Sequence, residues 1–258
     1  MSNFTYIIAE GVIDVVLLTR VLRQGYGFAI IDKMSQLPPL AADWMKNFTW
    51  PVGEDISRRA VPAPAILAKG NMTIGLQNGQ GLTVIRRKTK EDEERFFRIG
   101  WRPSAWAVIL DADNDPPSTR FDEFATLLAE LGYPKPNSLD KVVESGGKRS
   151  GVFAFPGQGL PGTIEDVLLP LADKRFPVLN QYADEYVSGW EQQDEAKTND
   201  DFKEFREPSG HKKARLSAIA AMLKPGKPLN ASVEDQKWVP DNPRTCAALK
   251  PLMDFLDQ

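Results

Sequence analysis

The sequence predicts an α/β protein: a parallel-sheet core flanked by helices, with a helical C-terminal region. Three observations point there. The runs "FTYIIAE" and "AWAVILDAD" are apolar enough to be strands buried on both faces. Each is followed by a turn and a helical pattern, the order of a strand–helix unit. From Phe176 onward the pattern is helical only.

Taken in order, "FTYIIAE" is the first strand and Gly11 makes a turn. "VIDVVLLTRVLR" is a helix with a broad aliphatic stripe, and "GFAIID" is the next strand. Residues 34–70 are proline-rich and carry no sustained period. They read as an insertion with a short helix around Ala41–Phe48, packed on the core or closing over it. In "NMTIGLQNGQGLTVIRR", two apolar runs flank Gln77–Gly81, and Asn78–Gly79 is a hairpin signal. A phosphate cradle is the alternative for these glycines, although no Walker pattern is present. "TKEDEERFFRIG" is a short charged helix with Thr89 as its cap. "AWAVILDAD" is the strongest strand, and "STRFDEFATLLAELG" follows as a helix from Ser118 to a stop at Gly132. "SGVFAFPG" is another strand, and "PGTIEDVLLPLAD" a helix in which Thr163 and Asp166 form a capping pattern. Three helical segments complete the chain, the last opened by Asn242 and Pro243, with Pro251 as a kink or a boundary.

Bulk numbers narrow the chemistry. The chain has 258 residues, 42% hydrophobic and 26% charged, enough for one sizeable core. A net charge of −3 gives no global steering toward nucleic acid, so positive charge for a polyanion has to be local. One cysteine, Cys246, excludes an intrachain disulfide and argues against a cysteine zinc site, and one histidine, His211, excludes poly-histidine centres. A metal site must then be built from carboxylates, which suits Mg²⁺ or Mn²⁺. The N-terminal apolar run is interrupted by acids, so neither a signal peptide nor a membrane span is expected, and the location expected is cytoplasmic.

Glu10 ends the first strand and Asp111 the strongest one. The C-terminal ends of parallel strands share an edge where ligands bind. If the two strands are neighbours, Glu10 and Asp111 meet there, with Asp113 on the loop and Asp14 in the first turn of the opening helix. Ionised carboxylates crowded together raise one another's pKa values, and a divalent cation relieves them. A stack of polar turns in "DADNDPP" is the competing explanation.

"IIAEGVIDVVLL" and "VILDADND" resemble the two acidic motifs of TOPRIM domains: a strand-end glutamate, glycine and aspartate, then Asp-x-Asp after a hydrophobic strand. The chain also resembles the stand-alone DUF3226 kind, related to OLD-type nucleases. That likeness rests on "GVFAFPGQGLPGTIEDVLLP" and "GHKKARLSAIAAML" as well. The resemblance implies a TOPRIM-like (Rossmann-like) core over residues 1–175 with the insertion at about 34–70. Residues 176–258 would be a helical extension packed on that core. It implies Mg²⁺- or Mn²⁺-dependent cleavage of phosphodiesters in DNA or RNA. Glu10, Asp14, Asp111, Asp113 and Glu165 would hold metal, with Asp115 assisting and Asp166 beside Glu165; Glu10, Asp111, Asp113 and Lys213 would carry the chemistry. Lys148, Arg149, Lys212 and Arg215 are the candidate nucleic-acid contacts, each equally readable as a solvated surface cation, and His211 is a cap or surface residue before it is a catalyst. No topoisomerase, primase or ATPase module accompanies the motifs. A non-catalytic nucleic-acid-binding or regulatory subunit of a larger complex, such as an anti-phage assembly with a separate ATPase, is therefore the rival expectation.

Overall fold

The computed structural model describes residues 3–46, 64–113 and 117–258. In chain order the first elements are β1 (Asn3–Ala9), α1 (Val12–Tyr26), β2 (Ala29–Ile30), α2 (Pro39–Met45), β3 (Ala65–Lys69) and β4 (Met72–Asn78). Then come α3 (Leu82–Arg98), β5 (Ala105–Asp111), α4 (Pro117–Glu130), β6 (Lys141–Ser145) and β7 (Lys148–Phe155). The rest is helical: α5 (Glu165–Arg175), α6 (Pro177–Glu191), α7 (Asp194–Thr198), α8 (Gly210–Leu223), α9 (Leu229–Asp235) and α10 (Lys250–Leu256). Short 3₁₀ turns lie at Met34–Gln36, Asp200–Phe202, Pro243–Thr245 and Ala247–Leu249.

The strands form one sheet in the order β2-β3-β4-β1-β5-β7-β6. Its four central strands, β4, β1, β5 and β7, are mutually parallel. β3, β2 and β6 join antiparallel at the edges, so the sheet is mixed rather than wholly parallel. Registers Ala9↔Asn78, Ala9↔Ile109 and Asp111↔Phe155 align the C-terminal ends of the parallel strands on one edge.

Alternation along β1 and β5 separates two cores. Ile7, Ala9, Ala107 and Ile109 face α1, α5 and the C-terminal helices, where Leu18, Leu168, Ile219, Val233 and Phe255 complete one cluster. Phe4, Tyr6, Ile8, Trp106, Val108 and Leu110 face α2, α3 and α4, against Trp44, Phe96 and Phe124. Among the described residues, no helix is long and apolar enough to cross a membrane.

Several local expectations need correction. "GFAIID" reduces to the two residues of β2. The insertion at 34–70 ends too late, because Ala65–Lys69 is a sheet strand; its short helix is Pro39–Met45, and residues 47–63 lie outside the described part. The hairpin is not at Asn78–Gly79 but between β3 and β4, at Gly70 and Asn71. Gly79 and Gly81 instead donate to the carbonyls of Ala9 and Glu10, fastening the turn after β4 to the end of β1. "LTVIRR" opens α3 rather than forming a strand: Ile85, Thr89, Asp92 and Phe96 are buried at helical spacing. Thr89 is therefore interior and donates to the Ile85 carbonyl instead of capping. Ser118 likewise lies inside α4.

Candidate functional site

The end of β1 and the end of β5 are joined by their own groups. Glu10 N–H donates to the Ile109 carbonyl at 3.0 Å, and Asp111 N–H donates to Glu10 Oε2 at 3.2 Å. Glu10 and Asp111 thus meet at the sheet edge despite lying 101 residues apart. Asp14 enters from the first turn of α1, where its Oδ2 reaches back to accept from Gly11 N–H at 2.8 Å. A Cβ on Gly11 would stand 2.8 Å from that oxygen, so glycine lets the carboxylate fold back. Glu165 is the first residue of α5, and the preceding Ile164 N–H donates to Asp111 Oδ1 at 2.8 Å. The N-termini of α1 and α5 therefore both present N–H groups to this edge, where their dipoles favour negative charge.

Asp113 follows on a loop held by paired backbone bonds with Gly162, at 2.8 and 2.9 Å. Its φ of +50° is left-handed, a conformation aspartate tolerates better than most residues. Arg120, from α4, clamps the loop: it pairs with Asp113 Oδ2 at 2.5 Å and donates to the Asp111 carbonyl at 2.7 Å.

Burial dominates the electrostatics. Asp14 and Glu165 are buried, at 3% and 6% exposure. The Asp111 carboxyl is pushed up to about 9, first by desolvation and then by the charges of Asp14, Glu10 and Glu165. Asp14 is pushed up to about 7 by desolvation and Glu10, against the opposing Gly11 N–H. Glu10 is raised by desolvation; the Asp111 N–H opposes, Asp113 adds to the rise, and Arg120 and Lys213 oppose it. Four carboxylates thus feel one another across elements far apart in sequence. Asp14 Oδ1, Glu165 Oε2 and Thr163 Oγ1 are buried without a hydrogen-bond partner among the described residues. Such orphaned oxygens cost free energy unless a donor or cation satisfies them. The donor set, hard oxygens with some orphaned, fits Mg²⁺ or Mn²⁺. Among the described residues, however, no group of three or more His, Cys, Asp or Glu side chains is disposed to hold an ion as it stands.

The remaining expected residues divide. Asp115 lies outside the described residues. Lys212 and Lys213 line a cleft beside the edge, together with Asp113, Arg120, Gly162 and Thr163. Lys212 is held by Asp166 at 2.7 and 2.9 Å, and Asp166 Oδ2 also accepts from Thr163 N–H. Arg215 is turned to Asn180 and Asp184, at 2.9 and 2.5 Å. Lys148 donates to the Gly132 carbonyl and lies over the Tyr133 ring, while Arg149 faces Glu144 at 4.0 Å. Both sit at the start of β7, where Arg149 is level with Ala105, six residues of β5 from Asp111 or about 20 Å. They are not brought to the carboxylate edge. His211 stacks on Phe205 with centroids 4.3 Å apart and faces Glu191 at 3.6 Å.

Arg120 was not singled out from the sequence, and Thr163 only as part of a capping pattern with Asp166, whose Oδ2 does accept from Thr163 N–H. Arg120 was detectable as a cation in the first turn of the helix after the aspartates; nothing in the sequence marked Thr163 as unpartnered.

A family model described as "Protein of unknown function (DUF3226)" matches residues 28–258, which places Glu10 to Asp14 ahead of the matched part. No curated protein matches the chain. Among solved structures, a hypothetical protein, PH0156, from Pyrococcus horikoshii OT3 has a TM-score of 0.51 at 18% identity. The alignment covers 99% of this chain and 94% of that one, a likeness of fold.

Proposed function

The chain belongs to the DUF3226 family, whose function is unknown, and for this member we propose divalent-cation-dependent hydrolysis of phosphodiesters in DNA or RNA by a TOPRIM-like core. One observation carries the reading: Asp14, Glu10 and Glu165 all act electrostatically on Asp111 at a part-buried sheet edge, and among the described residues Asp14 Oδ1 and Glu165 Oε2 have no hydrogen-bond partner. Glu10, Asp111 and Asp113 would hold one Mg²⁺ or Mn²⁺, and Glu165 with Asp14 would hold or orient a second. The bound cation would neutralise phosphate charge, activate a water and stabilise the leaving oxygen. If Glu10 stays outside the cation's shell, it is instead the group suited to carry a proton to or from that water, since burial holds its pKa up. Lys213, without an ion pair among the described residues, would meet the phosphate from the cleft wall.

The test is a cleavage panel of supercoiled plasmid, linear DNA and RNA, each with Mg²⁺, Mn²⁺ or chelator. Cation-dependent nicking or degradation of at least one substrate is expected, and none with any substrate would refute a stand-alone nuclease. A second reading, a nucleic-acid-binding or regulatory subunit activated by a separate ATPase chain, draws on the engagement of Arg120 and Lys212 by the protein's own acids. It predicts binding without cleavage until the partner is added.

Arg120 is a positioning residue here. Arg120→Ala is expected to release the Asp113 loop and lower Mn²⁺ affinity and activity by about 10- to 100-fold, as loss of an outer-shell partner typically does. Arg120→Lys should restore part of both. Unchanged Mn²⁺ affinity in Arg120→Ala would show that the clamp plays no part.

A further inference from the structure

Of the four cations expected to touch nucleic acid, Lys148, Arg149, Lys212 and Arg215 are each engaged by a carboxylate, a carbonyl or a ring. A different group is left without such partners. Lys174 and Arg175, exposed in the last turn of α5, line a cleft with Lys237, over a floor formed by Leu171, Trp238, Val239 and Pro240. Among the described residues none of these three cations has an ion pair or hydrogen bond. Asp241 on the same cleft interacts electrostatically with Arg20 of α1, which also feels Arg23 and Glu234. Arg20 and Arg23 have no ion pair among the described residues either. Three cations thus line the cleft with Asp241, exposed Asp173 stands next to Lys174, and Arg20, with Arg23 beside it on α1, feels Asp241 and Glu234, in a chain whose net charge is −3. Basic residues at the end of α5 complement its dipole. That accounts for Lys174 and Arg175, and for Arg23 in the last turn of α1, but not for Lys237 or Arg20.

α1 and α5 both start at the carboxylate edge and run away from it on the same face of the sheet. From Glu165 to Lys174 the α5 axis covers about 14 Å, at 1.5 Å per residue. We infer that the cleft of Lys174, Arg175 and Lys237, with Arg20 and Arg23 beside it, is a second contact for the nucleic-acid backbone, a few nucleotides at most from the reacting phosphate. The inference rests on nucleic acid being the substrate, and it adds where the chain outside the cleavage point is held. Lys and Arg without protein partners match a row of phosphates, and the distance is within reach of one strand that also enters the carboxylate edge.

The test measures binding apart from cleavage. Full-length protein in chelator is titrated against labelled 30-mer duplex DNA, single-stranded DNA and RNA between 50 and 200 mM salt. The variant K174E/R175E/K237E is expected to weaken binding at low salt by at least about tenfold and to flatten the salt dependence by two to three phosphate contacts. Mn²⁺ binding should match wild type, which establishes that the variant is folded. The variant K148E/R149E, altered at the opposite end of the sheet, should bind as wild type does. Unchanged affinity and salt slope in K174E/R175E/K237E would overturn the inference, as would an equal loss in K148E/R149E. Absence of wild-type binding would also overturn it, as would displacement by inorganic phosphate at matched ionic strength, the mark of a small-anion pocket. Binding lost in the variant while wild type cleaves nothing would keep the inference and refute the nuclease reading. Cleavage by wild type with full binding by the variant would do the reverse.

Discussion

Asp111→Ala is expected to reduce cation-stimulated cleavage by at least about 100-fold, equivalent to roughly 3 kcal/mol of transition-state stabilisation. Asp111 is the hub of the edge. Its N–H bonds Glu10, its carbonyl takes Arg120, its Oδ1 takes the Ile164 N–H, and its charge feels Asp14, Glu10 and Glu165. Only the side chain goes in the variant, so the backbone links between β1, β5 and α4 remain. Among the described residues the one bond lost is the acceptor for Ile164 N–H, a cost of about 1 kcal/mol. Removal of a repelled charge offsets it. Loss of cleavage with an unchanged far-UV spectrum and a retained melting transition would therefore mark a chemical defect rather than an unfolded chain. Activity within about threefold of wild type would remove Asp111 from the machinery.

Asp111→Asn is expected to stabilise the cation-free protein at neutral to alkaline pH. A carboxyl whose pKa is higher in the fold than in the unfolded chain favours folding fully only below its unfolded value near 4. That contribution is then lost as pH rises through the folded value, about 7 for Asp14 and about 9 for Asp111. In chelator, melting temperature should fall between pH 5 and pH 9 through these two groups. Asparagine keeps an oxygen for the Ile164 N–H and removes the charge, so the fall should flatten. At pH 8 the variant should melt higher by about 4–8 °C, corresponding to ~2 kcal/mol for a chain of this size. Saturating Mg²⁺ should raise wild type in the same direction, because a ligand bound only by the fold stabilises it. A variant that melts lower than wild type at pH 8 would mean that the carboxylate is satisfied rather than strained.

The carboxylate edge was legible because it rests on two strong local signals. β1 and β5 are continuous apolar runs, each broken by acid at its last residue or just beyond, and buried parallel strands place such ends together. The edge strands were harder to read. Ala65–Lys69 follows a proline-rich stretch, and its strand character comes from pairing with β4 rather than from its own short pattern. α3 was truncated because Arg86, Arg87 and Lys88 mask the stripe Ile85–Thr89–Asp92–Phe96. Least visible was which cations are free. Lys212 meets Asp166 across 46 positions and Arg215 meets Asp184 across 31, pairings that only the tertiary fold creates. Sequence reasoning could locate positive charge near the site but could not tell that much of it is already neutralised.

The central claim is that this edge holds a divalent cation, and calorimetric titration of Mn²⁺ into chelator-treated, desalted protein tests it most directly. Saturable binding by wild type is predicted, lost or weakened at least about tenfold in Asp111→Asn and retained in K174E/R175E/K237E. No saturable binding by wild type, or the same affinity in Asp111→Asn, would contradict it.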